Sequence, residues 1–295
     1  MKSGIFVLKK EEGMTSQGAV TRVKRLFGAD KAGHTGTLDP MATGVLPILI
    51  GRAVKASEYM LTSDKYYLAL MRLGITTDTE DTTGNVLSKT DKLPTESEVM
   101  AAIERFTGKI MQTPPMYSAL KIGGRKLCDL ARAGVTLERE AREITVFSIE
   151  AKRLSDSDYS LRVHCSKGTY IRTLCADIGA YLGCGGAMAA LERERASVFT
   201  LDDAVSLGEL EAMSEEERES SLIPVERVFA HLDAVTLPEF FERLARSGLE
   251  IYLRKLGIEL ELGSTVRLMG KDGFFAIGEV RDFENGKAIK PIKQF

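Results

Sequence analysis

Lys31-Ala32-Gly33-His34-Thr35-Gly36-Thr37-Leu38-Asp39-Pro40-Met41-Ala42-Thr43-Gly44-Val45-Leu46-Pro47 is the stretch on which the reading of this 295-residue chain turns. Its 17 residues hold three glycines, three threonines, one of the chain's 3 histidines, and a carboxylate set directly before a proline. Gly33, Gly36 and Gly44 admit backbone conformations closed to other residues and let a ligand approach the main chain, while Pro40 biases Asp39 away from helical geometry. The apolar run Val45 to Ile50, ended by Gly51, predicts a buried element that holds the loop rigid. A rigid loop presenting one acid suits a catalytic carboxylate. Turns rich in Gly and Thr with a capping Asp are also common as plain connections, and spacing alone leaves both readings open.

Outward from this loop, the pattern predicts a strand at Gly4 to Leu8 and a helix from Ser16 to Phe27, with Val20, Val23, Leu26 and Phe27 on one side and Gly28 as its stop. After the loop come a short helix around Ala53 to Leu61, a strand at Lys65 to Leu73, and a Thr/Asp-rich connection, Thr76 to Asn85, without core-forming residues. Thr95 and Glu98 have capping-box spacing and start a helix whose stripe is Val99, Ile103 and Phe106, ending by Gly108. Pro114 to Ala141 carries Lys121, Arg125, Lys126 and Arg132 around Gly123-Gly124, with a short helix ending at Gly134, and reads as a basic excursion. Strands at Ile144 to Arg153 and Tyr159 to His164 lead into the Lys167 to Arg172 turn and a helix from Tyr170 to Leu182, which puts Arg172 on its first turn. This mixture predicts an α+β fold with a large, mainly antiparallel sheet and flanking helices. Leu237 to Gly257 reads as one or two helices. Thr265 to Leu268, Phe274 to Val280 and Ala288 to Ile292 then read as short strands of a separate, small β-rich module.

Composition bounds the answer from another side. A hydrophobic content of 44% over 295 residues supports a full core and excludes disorder. Cys128, Cys165, Cys175 and Cys184 are too far apart for a zinc knuckle, so reduced thiols and no metal are expected. The early apolar run Ile5 to Leu8 is too short for a signal peptide and no segment reaches membrane-spanning length, which points to the cytoplasm. The net charge of −2 hides segregation. Residues 1–60 hold nine Lys or Arg against five acids, residues 161–173 add three cations and no acid, and Leu201 to Ser221 carries eight acids against Arg218 alone. The positive segments are the ones that bear the motifs.

Gly33 to Pro40 together with Ala42 to Pro47 closely resembles the signature of the tRNA pseudouridine-55 synthases. Asp64-Lys65-Tyr66-Tyr67, Met116-Tyr117-Ser118-Ala119-Leu120-Lys121 and Cys165-Ser166-Lys167-Gly168-Thr169-Tyr170-Ile171-Arg172-Thr173 follow in the family's order, so the resemblance spans roughly Ile5 to Leu232. It implies that Asp39 is the essential residue, that Arg172 is its partner, and that Tyr67 lies over the target uracil. It also implies that Leu191 lines the apolar side of the pocket and that Lys167 and Tyr170 contact backbone and pocket. His34, an imidazole beside Gly33, is suited to slide into the gap left by everted bases, the alternative being a histidine hydrogen-bonded within its loop. Gly36 and Thr37, inside the signature, join the substrate-binding set. An always-charged guanidinium suits the first pairing, since it orients a carboxylate and favours its ionised form. Tyr67 shares a strand face with Ala69 and Met71 and would otherwise be a core residue.

The implied reaction cuts the N-glycosidic bond of a uridine, turns the base and rejoins C5 to the sugar. Such an isomerisation needs no nucleotide, flavin or metal. Asp39 would attack C1′, attack the base, or stabilise charge at the sugar during an elimination, and the residues do not choose among these. The resemblance further implies a catalytic domain over residues 1–232, with the 114–142 insertion gripping the tRNA arm, and a PUA-type RNA-binding domain over 233–295. A free-standing monomer acting on the T-arm of tRNA, without membrane, protein partner or guide RNA, is expected. The alternative is a tRNA-binding chaperone that uses the same basic faces without chemistry. A glycoside hydrolase fits less well, because it needs a second carboxylate and no acid near the other motifs stands out.

Overall fold

The computed structural model describes residues 2–118 and 120–295. Ala119 of the third motif, and the side chains of Lys121 and Lys126 in the basic excursion, lie outside the described residues.

Strand β1 (Gly4–Lys10) leads to helix α1 (Ser16–Leu26), whose cap Thr15 accepts a hydrogen bond from the Gly18 N–H. Val20 and Val23 are buried against the sheet, and Gly28 ends the segment at φ +58°. β2 (Ala32–His34) and β3 (Thr43–Ile50) pair antiparallel, so the signature loop leaves one strand and returns into another. Gly44 to Ile50 are all buried, as the apolar run requires. A 3₁₀ turn at Gly51–Ala56 and a short helix α2 (Ser57–Leu61) stand where one helix was expected, because the segment leaves β3 through Gly51 at φ +62°.

β4 (Lys65–Leu73) alternates strictly, with Lys65, Tyr67, Ala69, Met71 and Leu73 buried on one face. The following segment departs from expectation. It is a hairpin of β5 (Ile75–Thr77) and β6 (Val86–Lys89), and Thr77 and Asp81 within it are buried. Asp81 tolerates burial because its Oδ1 accepts from the Thr83 amide at 3.0 Å and from the Thr79 and Thr83 hydroxyls at 2.8 and 2.6 Å. Helix α3 (Glu96–Arg105) starts with the Thr95–Glu98 capping box. Then come β7 (Gly108–Gln112), the short pair β8 (Lys121–Ile122) and β9 (Arg125–Lys126), and α4 (Leu127–Arg132). The long antiparallel strands β10 (Arg142–Arg153) and β11 (Asp158–Cys165) precede α5 (Ile171–Tyr181).

The largest departure is β12 (Gly186–Ala196), where the sequence carries no strand signal. Gly-Ala-Met-Ala-Ala-Leu-Glu-Arg-Glu-Arg-Ala is made mostly of helix formers, and its slot in the sheet overrides that preference. It runs parallel to β3 and antiparallel to β4, with a bulge on either side of Ala190 to Arg193. The short strands β13 (Phe199–Thr200) and β14 (Val205–Ser206) complete a mixed, mainly antiparallel sheet whose main order is β14-β1-β3-β12-β4-β11-β10-β7. α1, α3 and α5 cover one face and share its apolar core.

The acidic stretch forms two short helices, α6 (Leu207–Ala212) and α7 (Glu215–Ser220), each opened by a capping box, and Lys2 bridges to Glu215 and Glu219. The C-terminal part contains β15 (Ala234–Thr236), α8 (Glu239–Arg246), β16 (Ile251–Tyr252), α9 (Leu253–Leu256), β17 (Thr265–Gly270), β18 (Gly273–Phe283) and β19 (Gly286–Gln294). Its five strands order as β15-β17-β18-β19-β16 around their own core. Ile277 of β18 instead joins a cluster with Ile5, Val45, Phe199 and Phe229, which fastens the two sheets together. All four cysteines are unpaired, and no helix among the described residues is long and apolar enough to cross a membrane.

Candidate active site

The signature loop is tied down from beneath. Ser16, the first residue of α1, donates its hydroxyl to the Leu38 carbonyl at 2.9 Å and accepts the Leu38 N–H at 2.8 Å. Lys10, fully buried, donates to the carbonyls of Glu11, Pro40 and Ala42 at 2.9, 3.1 and 2.6 Å, and burial lowers its pKa to about 8. Gly44 (φ +98°) lies so close to the backbone of Arg193 that a Cβ would collide with it. Gly44→Ala therefore combines overpacking with backbone strain. It is expected to cost about 2–4 kcal/mol in urea unfolding, against about 0.5 kcal/mol for the open position Gly33→Ala.

On this support Asp39 meets Arg172. The carboxylate is 34% exposed and the guanidinium 4%. Arg172 Nη2 donates to Asp39 Oδ1 at 3.2 Å, and Nε lies 2.8 Å from Oδ2 in ion-pair contact, off the hydrogen-bond axis. Nη1 donates to the Thr79 carbonyl at 2.9 Å and Nη2 to the Tyr117 carbonyl at 2.7 Å. Asp81 Oδ2 stands 3.8 Å from Nη1 as a second counter-charge. Burial pushes the Asp39 pKa above the ordinary carboxylate value, and the Arg172 charge pulls against that rise. An arginine at a helix start is unfavourable to the helix dipole, and here two carboxylates and two carbonyls account for it.

The 79–81 turn that feels Arg172 is itself fixed to β12. Met188 donates its N–H to the Glu80 carbonyl at 3.0 Å, and Thr82 donates to the Met188 carbonyl at 2.9 Å. Glu80 adopts φ +63°, and its carboxylate accepts from the Thr173 hydroxyl at 2.5 Å.

Asp39 and Arg172 open onto a cavity of about 340 Å³, nucleoside-sized. Eight of the nine residues singled out from the sequence line it: Gly36, Thr37, Asp39, Tyr67, Lys167, Tyr170, Arg172 and Leu191. The ninth, His34, lines an adjoining opening of about 740 Å³ that shares Asp39 and Arg172 and that Arg132 of the basic excursion also borders. His34 Nδ1 accepts the Gly36 N–H at 3.3 Å, and burial lowers its pKa, which suits a neutral acceptor. Gln112 pins Tyr170 by donating to its carbonyl at 3.0 Å and accepting its N–H at 2.8 Å. The buried hydroxyls of Thr35 and Ser118, both residues of the cavity lining, have no hydrogen-bond partner within bonding geometry among the described residues.

Sequence reasoning missed Asp81, Lys10, Lys65, Gln112 and Arg193. Lys65 sits inside the motif Asp64-Lys65-Tyr66-Tyr67 and Arg193 stands two residues after Leu191, but nothing local separates a buried cation from an exposed one. Asp81 overturns the expectation that no second acid stands near the motifs. It lies 3.8 Å from Arg172 and borders the larger adjoining opening, but it does not line the nucleoside-sized cavity, and three donors and burial hold its carboxylate in place. Among the described residues no group of three or more His, Cys, Asp or Glu is placed to hold a metal ion.

Two solved structures share this architecture over 99% of the chain. "Structure of H/ACA RNP bound to a substrate RNA containing 2'-deoxyuridine" matches with a TM-score of 0.72 at 25% identity, covering 84% of that chain. "Crystal Structure of a Cbf5-Nop10-Gar1 Complex" matches with a TM-score of 0.70 at 26% identity, covering 85%. The model described as "TruB family pseudouridylate synthase (N terminal domain)" matches residues 24–171, and "tRNA pseudouridylate synthase B C-terminal domain" matches residues 172–255. The class is therefore that of the pseudouridylate synthases. Among curated relatives, "tRNA pseudouridine synthase B" of Aromatoleum aromaticum is 43% identical over 94% of this chain and 88% of its own length. That of Francisella philomiragia subsp. philomiragia is 41% identical over 97% and 93%. The chain belongs to the TruB family of pseudouridylate synthases.

Proposed function

We propose that this protein isomerises uridine 55 in the T-loop of tRNA to pseudouridine, as a stand-alone cytoplasmic monomer needing no cofactor, guide RNA or protein partner. The observation that carries the reading is the pairing of partly exposed Asp39 with buried Arg172 at a nucleoside-sized cavity. The names of the curated relatives support the substrate. In this reading Asp39 supplies the charge or the nucleophile while the glycosidic bond breaks and C5 replaces N1 on C1′. Arg172 keeps the carboxylate ionised and aimed, and Tyr67 stacks on the uracil. His34 fills the gap left in the RNA loop, whose opening costs about a few kcal/mol. Leu191 forms the apolar wall, and Gly36, Thr37, Lys167 and Tyr170 hold the nucleotide and its backbone.

The unit boundary belongs to the same reading. Residues 1–232 form the catalytic domain, the 114–142 excursion grips the T-arm, and 233–295 form a PUA-like RNA-binding domain. Asp81 steers Arg172 rather than touching substrate. Asp81→Asn is expected to slow turnover by about 10–100-fold with RNA affinity unchanged, the usual effect of losing an outer partner of an aligned group.

The deciding experiment follows tritium released from C5 of uridine in an unmodified tRNA transcript, because substrate and product have equal mass. Stoichiometric release from position 55 supports the reading. Tight binding without release leaves an RNA-binding protein.

A further inference from the structure

Among the described residues Arg193 is the largest fully buried side chain, 1% exposed, yet no carboxylate lies within ion-pair distance of it. Taking a guanidinium out of water without a counter-charge is unfavourable, so its position calls for a cause. Its hydrogen bonds go to backbone: Nε donates to the Val45 carbonyl at 2.7 Å and Nη2 to the Gly36 carbonyl at 3.1 Å. These two contacts strap β12 to β3 and to the Asp39 loop. A neutral donor would serve that strap, and the charge is left unexplained by it.

The register explains the charge. Arg193 is the direct cross-strand partner of Tyr67, and both side chains point to the cavity side of the sheet. Between the two bulges the register is regular, so Leu191 and Arg193, two residues apart, share that side by strand alternation. Tyr67 faces Arg193 from β12, Cys165 from β11 and Asp39 from the loop. Burial is the largest influence on the Tyr67 hydroxyl and holds its pKa above the ordinary phenol value, the Asp39 charge adds to that, and Arg193 is the cation that pulls the other way and favours a phenolate. The neighbouring cations on this side, Lys10 and Lys65, each have a pKa lowered to about 8 by burial and spend their protons on backbone carbonyls. A guanidinium, unlike these amines, holds its charge throughout.

We propose that Arg193 is a positioning residue of the isomerisation, which aims the Tyr67 hydroxyl into the cavity and stabilises its phenolate while a proton passes through it. The proposal rests on the isomerase reading above. Cleavage leaves the glycosidic electron pair on N1, which takes the Tyr67 phenol proton. Once C5 has bonded to C1′, the phenolate accepts the C5 proton as the C5=C6 double bond re-forms. One proton thereby moves from C5 to N1 through Tyr67 Oη, and tritium at C5 reaches water by exchange from that oxygen.

The test compares wild type with Arg193→Met, Arg193→Gln and Arg193→Lys by single-turnover tritium release, by RNA affinity, and by the pH titration of the ¹³Cζ-tyrosine signal assigned through Tyr67→Phe. Gln keeps a donor for the Val45 carbonyl and replaces Met as the neutral variant if Met fails to fold. The neutral variants are expected to be about 10²-fold slower with affinity within about threefold, and the Tyr67 titration should move to higher pH, because a lost cation disfavours the phenolate. Lys should restore the titration and return the rate to within about tenfold of wild type. A Tyr67 titration unmoved in the neutral variants would overturn the proposal while leaving the isomerase reading intact if wild type still releases tritium. Absence of release from wild type would overturn both.

Discussion

Asp39→Asn is expected to abolish tritium release, lowering the single-turnover rate by at least about 10⁴-fold, while RNA affinity stays within about threefold. Asparagine has the shape of aspartate, and its carbonyl oxygen still accepts from Arg172 Nη2, so the loop held by Ser16 and Lys10 keeps its form. What is lost is the negative charge, which every route open to this carboxylate requires. Attack on C1′, attack on the base and stabilisation of a cationic sugar all fail with a neutral amide. The same variant separates the isomerase from the chaperone reading, since a protein that only remodels RNA would tolerate asparagine. Retained turnover would remove Asp39 from the chemistry altogether.

Arg172→Lys tests the other half of the pair. An ammonium keeps the charge but cannot engage Asp39, the Thr79 carbonyl and the Tyr117 carbonyl at once, as the planar fork does. The rate is expected to fall by about 10²–10³-fold with affinity preserved, because the loss falls on alignment of a charge used in the transition state. Arg172→Met adds a shift in pH dependence. Burial raises the Asp39 pKa and the Arg172 charge is the largest influence opposing it, so removing that charge raises the pKa further. The reactive carboxylate form is then lost at higher pH, and the acid limb of the rate profile moves upward. An acid limb that stays put would mean that Asp39 ionisation is not governed by its neighbour.

Much of this site was legible in the chain because its residues lie in short ordered segments with local punctuation. The glycines around Asp39 and the alternation of β4 could be read from spacing, and so could the Thr95 capping box. Asp39, Arg172 and Tyr67 could be grouped only through the resemblance, since 132 residues separate the first pair in sequence without any local sign of contact. What escaped was of two kinds. Asp81 and its threonines look like a solvated turn, because buried polar networks are built from the same residues as surface loops. β12 escaped because alanine, leucine, glutamate and arginine favour helix in isolation, and only its place between β3 and β4 makes it a strand. Arg193 was hidden with it.

That central position orders events in time. β3 and β4 end by residue 73, but the strand that joins them begins only at residue 186. During synthesis the edges of β3 and β4 that β12 will join therefore wait unpaired while more than a hundred residues emerge. Arg172, Leu191 and Arg193 arrive with or just before the joining strand. The cavity cannot close around a nucleoside until the keystone is seated, so ripening of the site and completion of the sheet are one event.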